Sequence, residues 1–307
     1  MAEEGESSLS DGEPMSINVL KNIKEALANL NPQEVRDHVE RPVRLLLYSA
    51  DEAGYQRMEH FFAPPELSLQ KRQEVEGMLI RGSEVSGVAD PNDVPIYFGR
   101  VAKELLKSKP KPFAFDTEHP EHTINEVLKQ RPELAIPLAR HILPFRQPVV
   151  DRVIKKVSKE NALFALATAL PDIIPLLSLP WAVAEFASDT AILTANQIRM
   201  AFFIAAASDR PVGYKEQRGE IGSLILGAFG WRAIARELVG KIPFGGGLIP
   251  KAAVAYAATR VVGLSLDRYH RIGHGYSQEE RQAVYEQALA RGKTIAGSIM
   301  HGLRRAT

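Results

Sequence analysis

The chain has 307 residues, 45% of them hydrophobic and 24% charged, the balance of a globular protein rather than of a disordered or collagen-like one. Its net charge of +1 supplies no global field for nucleic acid. It has no cysteine, which excludes disulfide scaffolds, thiolate zinc sites, iron–sulfur clusters and a cysteine nucleophile.

Residues 1–15 are acidic and polar, with five carboxylates and no base before Met15, and read as a disordered tail. A secretory signal opens on basic residues and an apolar run of ~7–15, so export through a cleaved signal is not expected. From Ser16 as N-cap, Ile17, Leu20, Ile23, Leu27 and Leu30 recur at helical spacing up to Asn31-Pro32, and a short helix follows to Val39. The run Val43 to Tyr48 reads as a buried strand, with helices predicted over 52–62 and 68–80. Val94 to Phe98 is a weaker strand, since Pro95 suits only a strand start or a sheet edge. Residues 99–107 look helical, and Phe113-Ala114-Phe115 form a third short strand. This alternation predicts a small α/β layer.

Beyond Glu121 the pattern is entirely helical, over 121–129, 132–143, 147–170, 180–207, 213–239, 249–271 and 277–303, with prolines at the breaks. The fold class is therefore mainly α. A multi-helix domain (121–307) follows a small α/β domain with N-terminal helices (16–120), whose layer has the shape of a degenerate nucleotide-binding fold. Residues 161–208 are the most apolar stretch and hold four charges, Asp172, Glu185, Asp189 and Arg199. The longest uncharged run, 173–184, is broken by Pro175 and Pro180, too short to span a bilayer. Two readings stay open, a buried helical core or hairpins that dip into a membrane. Charge is uneven: residues 209–307 hold 15 Lys/Arg against 8 Asp/Glu, and residues 1–208 hold 23 against 29. A basic C-terminal third suits anionic partners, a lipid surface or an acidic protein face, or is simply a set of solvated helix faces.

No catalytic set emerges from spacing. Gly292-Lys293-Thr294 imitates the end of a P-loop but lies inside a helical pattern, with Gln287 where the motif needs glycine. Asp51-Glu52-Ala53-Gly54 after the first strand has the form of a GTPase D-x-x-G, with no phosphate cradle before it and no N-K-x-D anywhere. Glu118, His119, Glu121 and His122 crowd together after Asp116, but Pro120 interrupts them, and a polar loop at a helix start is the better account than a zinc site. No metal or cofactor is expected. Two sets of small residues at i, i+4, i+8 mark close helix packing: Gly219, Ser223, Gly227 and Ala255, Thr259, Gly263. Trp231, Arg232 and Arg236, with Lys251, are the candidate interaction residues; the two arginines share a helix face and suit lipid phosphates or an acidic partner, or else cap buried carbonyls near a helix end.

Four blocks in order carry a resemblance. They are Ser158–Ala165 (with Asn161) followed by Leu170-Pro171 and Ile174-Pro175; Leu193–Met200, with Thr194, Asn196 and Gln197; Gly230–Leu238 followed by Ile242-Pro243; and Lys251–Thr259 with Tyr256 and Gly263. Together they resemble the YcjF-like domain of unknown function over roughly 132–275. The resemblance implies a helical domain that stands alone or follows bacterial Era-like GTPase domains, with membrane-bound members and no attached reaction. The GTPase motifs are absent from 43–116, so hydrolysis does not carry over. The expectation is a non-enzymatic module, membrane-associated on the cytoplasmic side or linked to a GTPase partner, without nucleic acid. The alternatives are a soluble cytoplasmic protein–protein adaptor and an uncharacterised enzyme.

Overall fold

The computed structural model describes residues 32–82, 90–168, 189–224 and 248–306. The expected tail and first helix, and Pro171, Pro175, Gly227, Trp231, Arg232, Arg236 and Pro243, lie outside the described residues.

Helix α1 (Pro32–Val39) leads into strand β1 (Arg44–Ser49). Helix α2 (Glu52–Phe62), helix α3 (Leu69–Glu76), strand β2 (Leu79–Arg81), strand β3 (Asp93–Phe98), helix α4 (Lys103–Leu106) and strand β4 (Phe113–Ala114) complete the layer. All pairings are parallel, in the order β2-β1-β3-β4. Leu45, Leu46 and Leu47 are fully buried in a row, as expected of a parallel strand covered on both faces.

Two expectations are corrected here. The helix predicted over 68–80 stops at Glu76, where the Gly77 N–H closes onto the Gln73 carbonyl at 3.1 Å, and Leu79-Ile80-Arg81 become the edge strand β2. Pro95 occupies neither a strand start nor an edge, because β3 lies between β1 and β4. The Tyr97 carbonyl faces β4 and accepts from the Phe115 N–H at 2.7 Å. Polar groups alternate sides along a strand, so Pro95 faces the same way as Tyr97. There β4, which pairs only with Ile96 and Tyr97, has not begun, and no N–H is required.

Helices α5 (Pro120–Gln130), α6 (Ala135–His141), α7 (Leu143–Ala167), α8 (Asp189–Ala207), α9 (Leu248–Ile272) and α10 (Gln278–Ala306) follow, with a 3₁₀ turn at Pro132–Leu134 and a helical stretch at 218–224. The mainly α architecture with a small α/β layer is as predicted. Phe62 stacks on Phe145 of α7 at 6.1 Å and leans on Phe115 at 5.9 Å, so one apolar core runs from the sheet into the helices. Helix α1 packs on α6 and α8 rather than on the sheet.

The contacts along α7, α8, α9 and α10 give their directions. Asn161 of α7 meets Asn196 and the Leu193 carbonyl of α8, and Glu160 meets Arg199, so α7 and α8 are antiparallel. On α9, Thr259 meets Asn161 and Lys251 meets Thr168, again antiparallel to α7. Gly292 of α10 abuts Ala253 while Arg268 pairs with Glu280, which sets α10 antiparallel to α9. The C-terminal end of α7, the starts of α8 and α9, and the end of α10 thus share one end of the bundle. Among the described residues α8 alone is long and apolar enough to cross a membrane, over Thr190–Ala207 with mean hydropathy 1.3, and 78% of that stretch is buried inside the protein.

Candidate functional site

In open parallel sheets, ligands sit beyond the carboxyl ends of the strands, where the winding reverses. With β1 central to the order β2-β1-β3, that point lies between β1 and β3. The D-x-x-G sequence falls here. Asp51 is the N-cap of α2, and its Oδ1 accepts the Gly54 N–H at 2.7 Å. Glu52 in the first turn is held by Arg81 at 2.7 Å, and Arg81 also binds Glu59 at 2.8 Å and lies over the Tyr55 ring. These hydrogen bonds hold the Glu52 carboxyl below its usual pKa and push the Arg81 guanidinium upward. The helix start therefore presents two carboxylates where a phosphate needs free N–H donors. Gly54 is required by packing: a Cβ there would lie 2.0 Å from Ser49 Oγ and 2.7 Å from Phe98 Cδ1.

The acidic and histidine-rich turn after β4 is also a helix start. Asp116 accepts from the backbone N–H groups of Glu118 at 3.0 Å and His119 at 2.9 Å, and its Oδ2 lies 3.3 Å from His122 Nδ1. The His119 backbone bond is the main cause that holds the Asp116 carboxyl below the usual range. Among the described residues no group of three or more His, Asp or Glu side chains is placed to hold a metal ion.

The residues that carry the resemblance converge in the bundle instead. Asn161 Nδ2 donates to Thr259 Oγ1 at 2.8 Å and to the Leu193 carbonyl at 3.3 Å. Asn196 Nδ2 donates to Asn161 Oδ1 at 2.8 Å, and Gln197 Nε2 to Thr259 Oγ1 at 3.3 Å. Thr259 Oγ1 in turn donates to the Ala255 carbonyl at 2.8 Å, and Thr194 Oγ1 to the Thr190 carbonyl at 2.7 Å. All five side chains are buried, so this network fixes the register of α7, α8 and α9. Ser158, one turn before Asn161, is fully buried and its hydroxyl has no partner among the described residues.

Of the two small-residue sets, Ala255, Thr259 and Gly263 are buried, and a Cβ on Gly263 would stand 2.8 Å from Ile154 Cγ1 and 3.1 Å from Met200 Sδ. Gly219 and Ser223 are exposed, with nothing among the described residues within 4 Å of a Gly219 Cβ. A third set, Ala288, Gly292 and Ala296, escaped the sequence reading although it has the same spacing. A Cβ on Gly292 would come 2.8 Å from the Ala253 carbonyl, and Tyr256 packs beside it. The P-loop-like Gly292 thus serves the contact of α9 with α10. Lys251 donates to Thr168 Oγ1 at 3.0 Å across the bundle end.

No family model, curated protein or solved structure matches this chain.

Proposed function

We propose that the chain is a non-catalytic helical module that associates with an anionic membrane surface, on the cytoplasmic side, through one end of its bundle, in a GTPase-linked system or alone. The observation that carries this reading is topological. The segment 169–188, which contains the uncharged run, joins Thr168 to Asp189 at that end. The segment 225–247, with Trp231, Arg232 and Arg236 in its sequence, is followed by Leu248, the start of α9 at the same end. Lys251 lies there, and α10 finishes there with Arg304 and Arg305 in its sequence. Apolar sequence and cations together suit a headgroup layer, where each basic residue adds ~1 kcal/mol on an anionic surface. The non-catalytic part of the reading is supported by the use of Asp51 as a helix cap and of Asp116 as the acceptor of the turn before α5.

Flotation of the full chain with vesicles of phosphatidylglycerol and of phosphatidylcholine tests it. The protein is expected to float with the anionic vesicles, less so in high salt, and the Arg232→Gln/Arg236→Gln variant to float less. A wild-type protein that ignores anionic vesicles overturns the membrane reading. A soluble adaptor that docks on an acidic protein face is the second reading. The burial of α8 and the pairing of its Arg199 with Glu160 at 2.5 Å favour it.

A further inference from the structure

Helix α3 has no apolar stripe to anchor it. Its sequence is LQKRQEVE; Val75 is its one buried residue, and Leu69 stands 70% exposed. Charges hold it instead. Lys71 Nζ donates to Glu74 at 3.0 Å and to Asp209 Oδ2 at 2.9 Å. Glu74 Oε1 lies 2.6 Å from His141 Nδ1, and Arg140 Nε reaches Asp209 Oδ1 at 3.2 Å. The cluster joins three elements, α3, the end of α6 and the turn after α8.

Asp209 is the one non-glycine residue with positive φ, 58°, among the described residues. Its turn closes α8, with the Arg210 N–H on the Ala205 carbonyl at 2.9 Å and the Asp209 N–H on the Ala206 carbonyl at 3.1 Å. Glycine is the usual residue at such a helix end. Asp here carries the carboxylate that binds both cations, and the left-handed backbone is held against its own preference by the surrounding contacts. On its other side α3 contributes Arg72 and Glu76 to a groove of about 440 Å³, whose facing wall is Gln56, Glu59 and His60 of α2.

We propose that α3 is a movable wall of this groove, latched to the bundle by the Lys71–Glu74–His141 and Lys71–Asp209–Arg140 charge cluster and detaching locally when that cluster is weakened. Partly exposed ion pairs of this kind are individually weak and salt-sensitive. A helix with a single buried side chain depends on them, whereas helices of the bundle do not. The latch also makes the groove responsive to the bundle, since α6 and the end of α8 hold its far side.

Hydrogen exchange of the full chain, read at residues 69–76 with α9 as internal reference, tests this. Raising salt from about 0.05 to about 0.5 M shortens the screening length severalfold. Exchange in α3 is expected to quicken roughly three- to tenfold with salt, while α9 is unchanged. Asp209→Asn, which keeps a residue tolerant of positive φ, should quicken α3 at low salt and blunt the salt response. Lys71→Met should do the same from the other side of the cluster if Asp209→Asn folds poorly. Exchange in α3 that ignores both salt and these variants, or that occurs only in step with α9, overturns the proposal.

Discussion

Replacing Asn161 with leucine tests whether the buried network holds α7, α8 and α9 in register. Asn161 is fully buried and is the hub, donating to Thr259 and the Leu193 carbonyl and accepting from Asn196. Leucine has the same branching and leaves no cavity, though its methyl groups are bulkier than the amide and add some overpacking. The amide of Asn196, 3% exposed, loses its acceptor. Thr259 keeps Gln197 as donor, at 3.3 Å, and the Ala255 carbonyl as acceptor. One stranded buried donor costs ~1–3 kcal/mol, and with the lost bonds the variant should be less stable by about 2–3 kcal/mol. Adding Asn196→Leu removes the stranded group, so the double variant should recover about 1–2 kcal/mol relative to additivity. Urea unfolding followed by circular dichroism at the helix band measures all three proteins. A single variant within about 0.5 kcal/mol of wild type, or strict additivity in the double, would refute the network as the register device.

Gly263→Ala should lower stability by ~1–3 kcal/mol through contact with Ile154 and Met200, although alanine is the better helix former. Gly219→Ala, at an exposed site, should raise stability by up to about 1 kcal/mol; thermal melts of the pair give the two signs. Asp51→Ala should cost about 0.5–2 kcal/mol through loss of the α2 cap, and calorimetric titration with GTP and magnesium should show no heat in either protein, whereas micromolar binding by the wild type would make the cap a working nucleotide site. Burial lowers the pKa of His270 from its usual 6.5, opposed by Glu220 and Asp267 and aided by Arg210. The unfolded chain then binds the proton more readily, so this stability is present above about pH 6.5 and is lost as pH falls below it. Urea midpoints between about pH 5 and 8 should show that slope in the wild type and less of it in His270→Gln.

Local patterns decided much of this architecture. The apolar run at 43–48 and the helical spacing of 121–129, 249–271 and 277–303 specify their elements through burial of one face, and the structure places these elements within a few residues of their expected bounds. The role of Asp51 as a cap was not legible in the sequence: only the structure shows it as the N-cap of α2, accepting the Gly54 N–H. Short pieces without a period were not legible. Leu79-Ile80-Arg81 is too brief to declare itself a strand, and only pairing with Leu45, Leu46 and Leu47 makes it one. Pro95 in an inner strand depends on where β4 begins, a fact of the sheet and not of the segment. The same holds for the polar residues of the bundle. Asn161, Asn196, Gln197 and Thr259 stand up to 98 positions apart, and nothing in their neighbours announces that they bond one another. Small residues at i and i+4 identify a helix face able to pack closely, but Gly219 is exposed while Gly263 and Gly292 are pressed against neighbours. Spacing sets which side chains share a face of one helix; only the packing of several helices chooses which of those faces is buried.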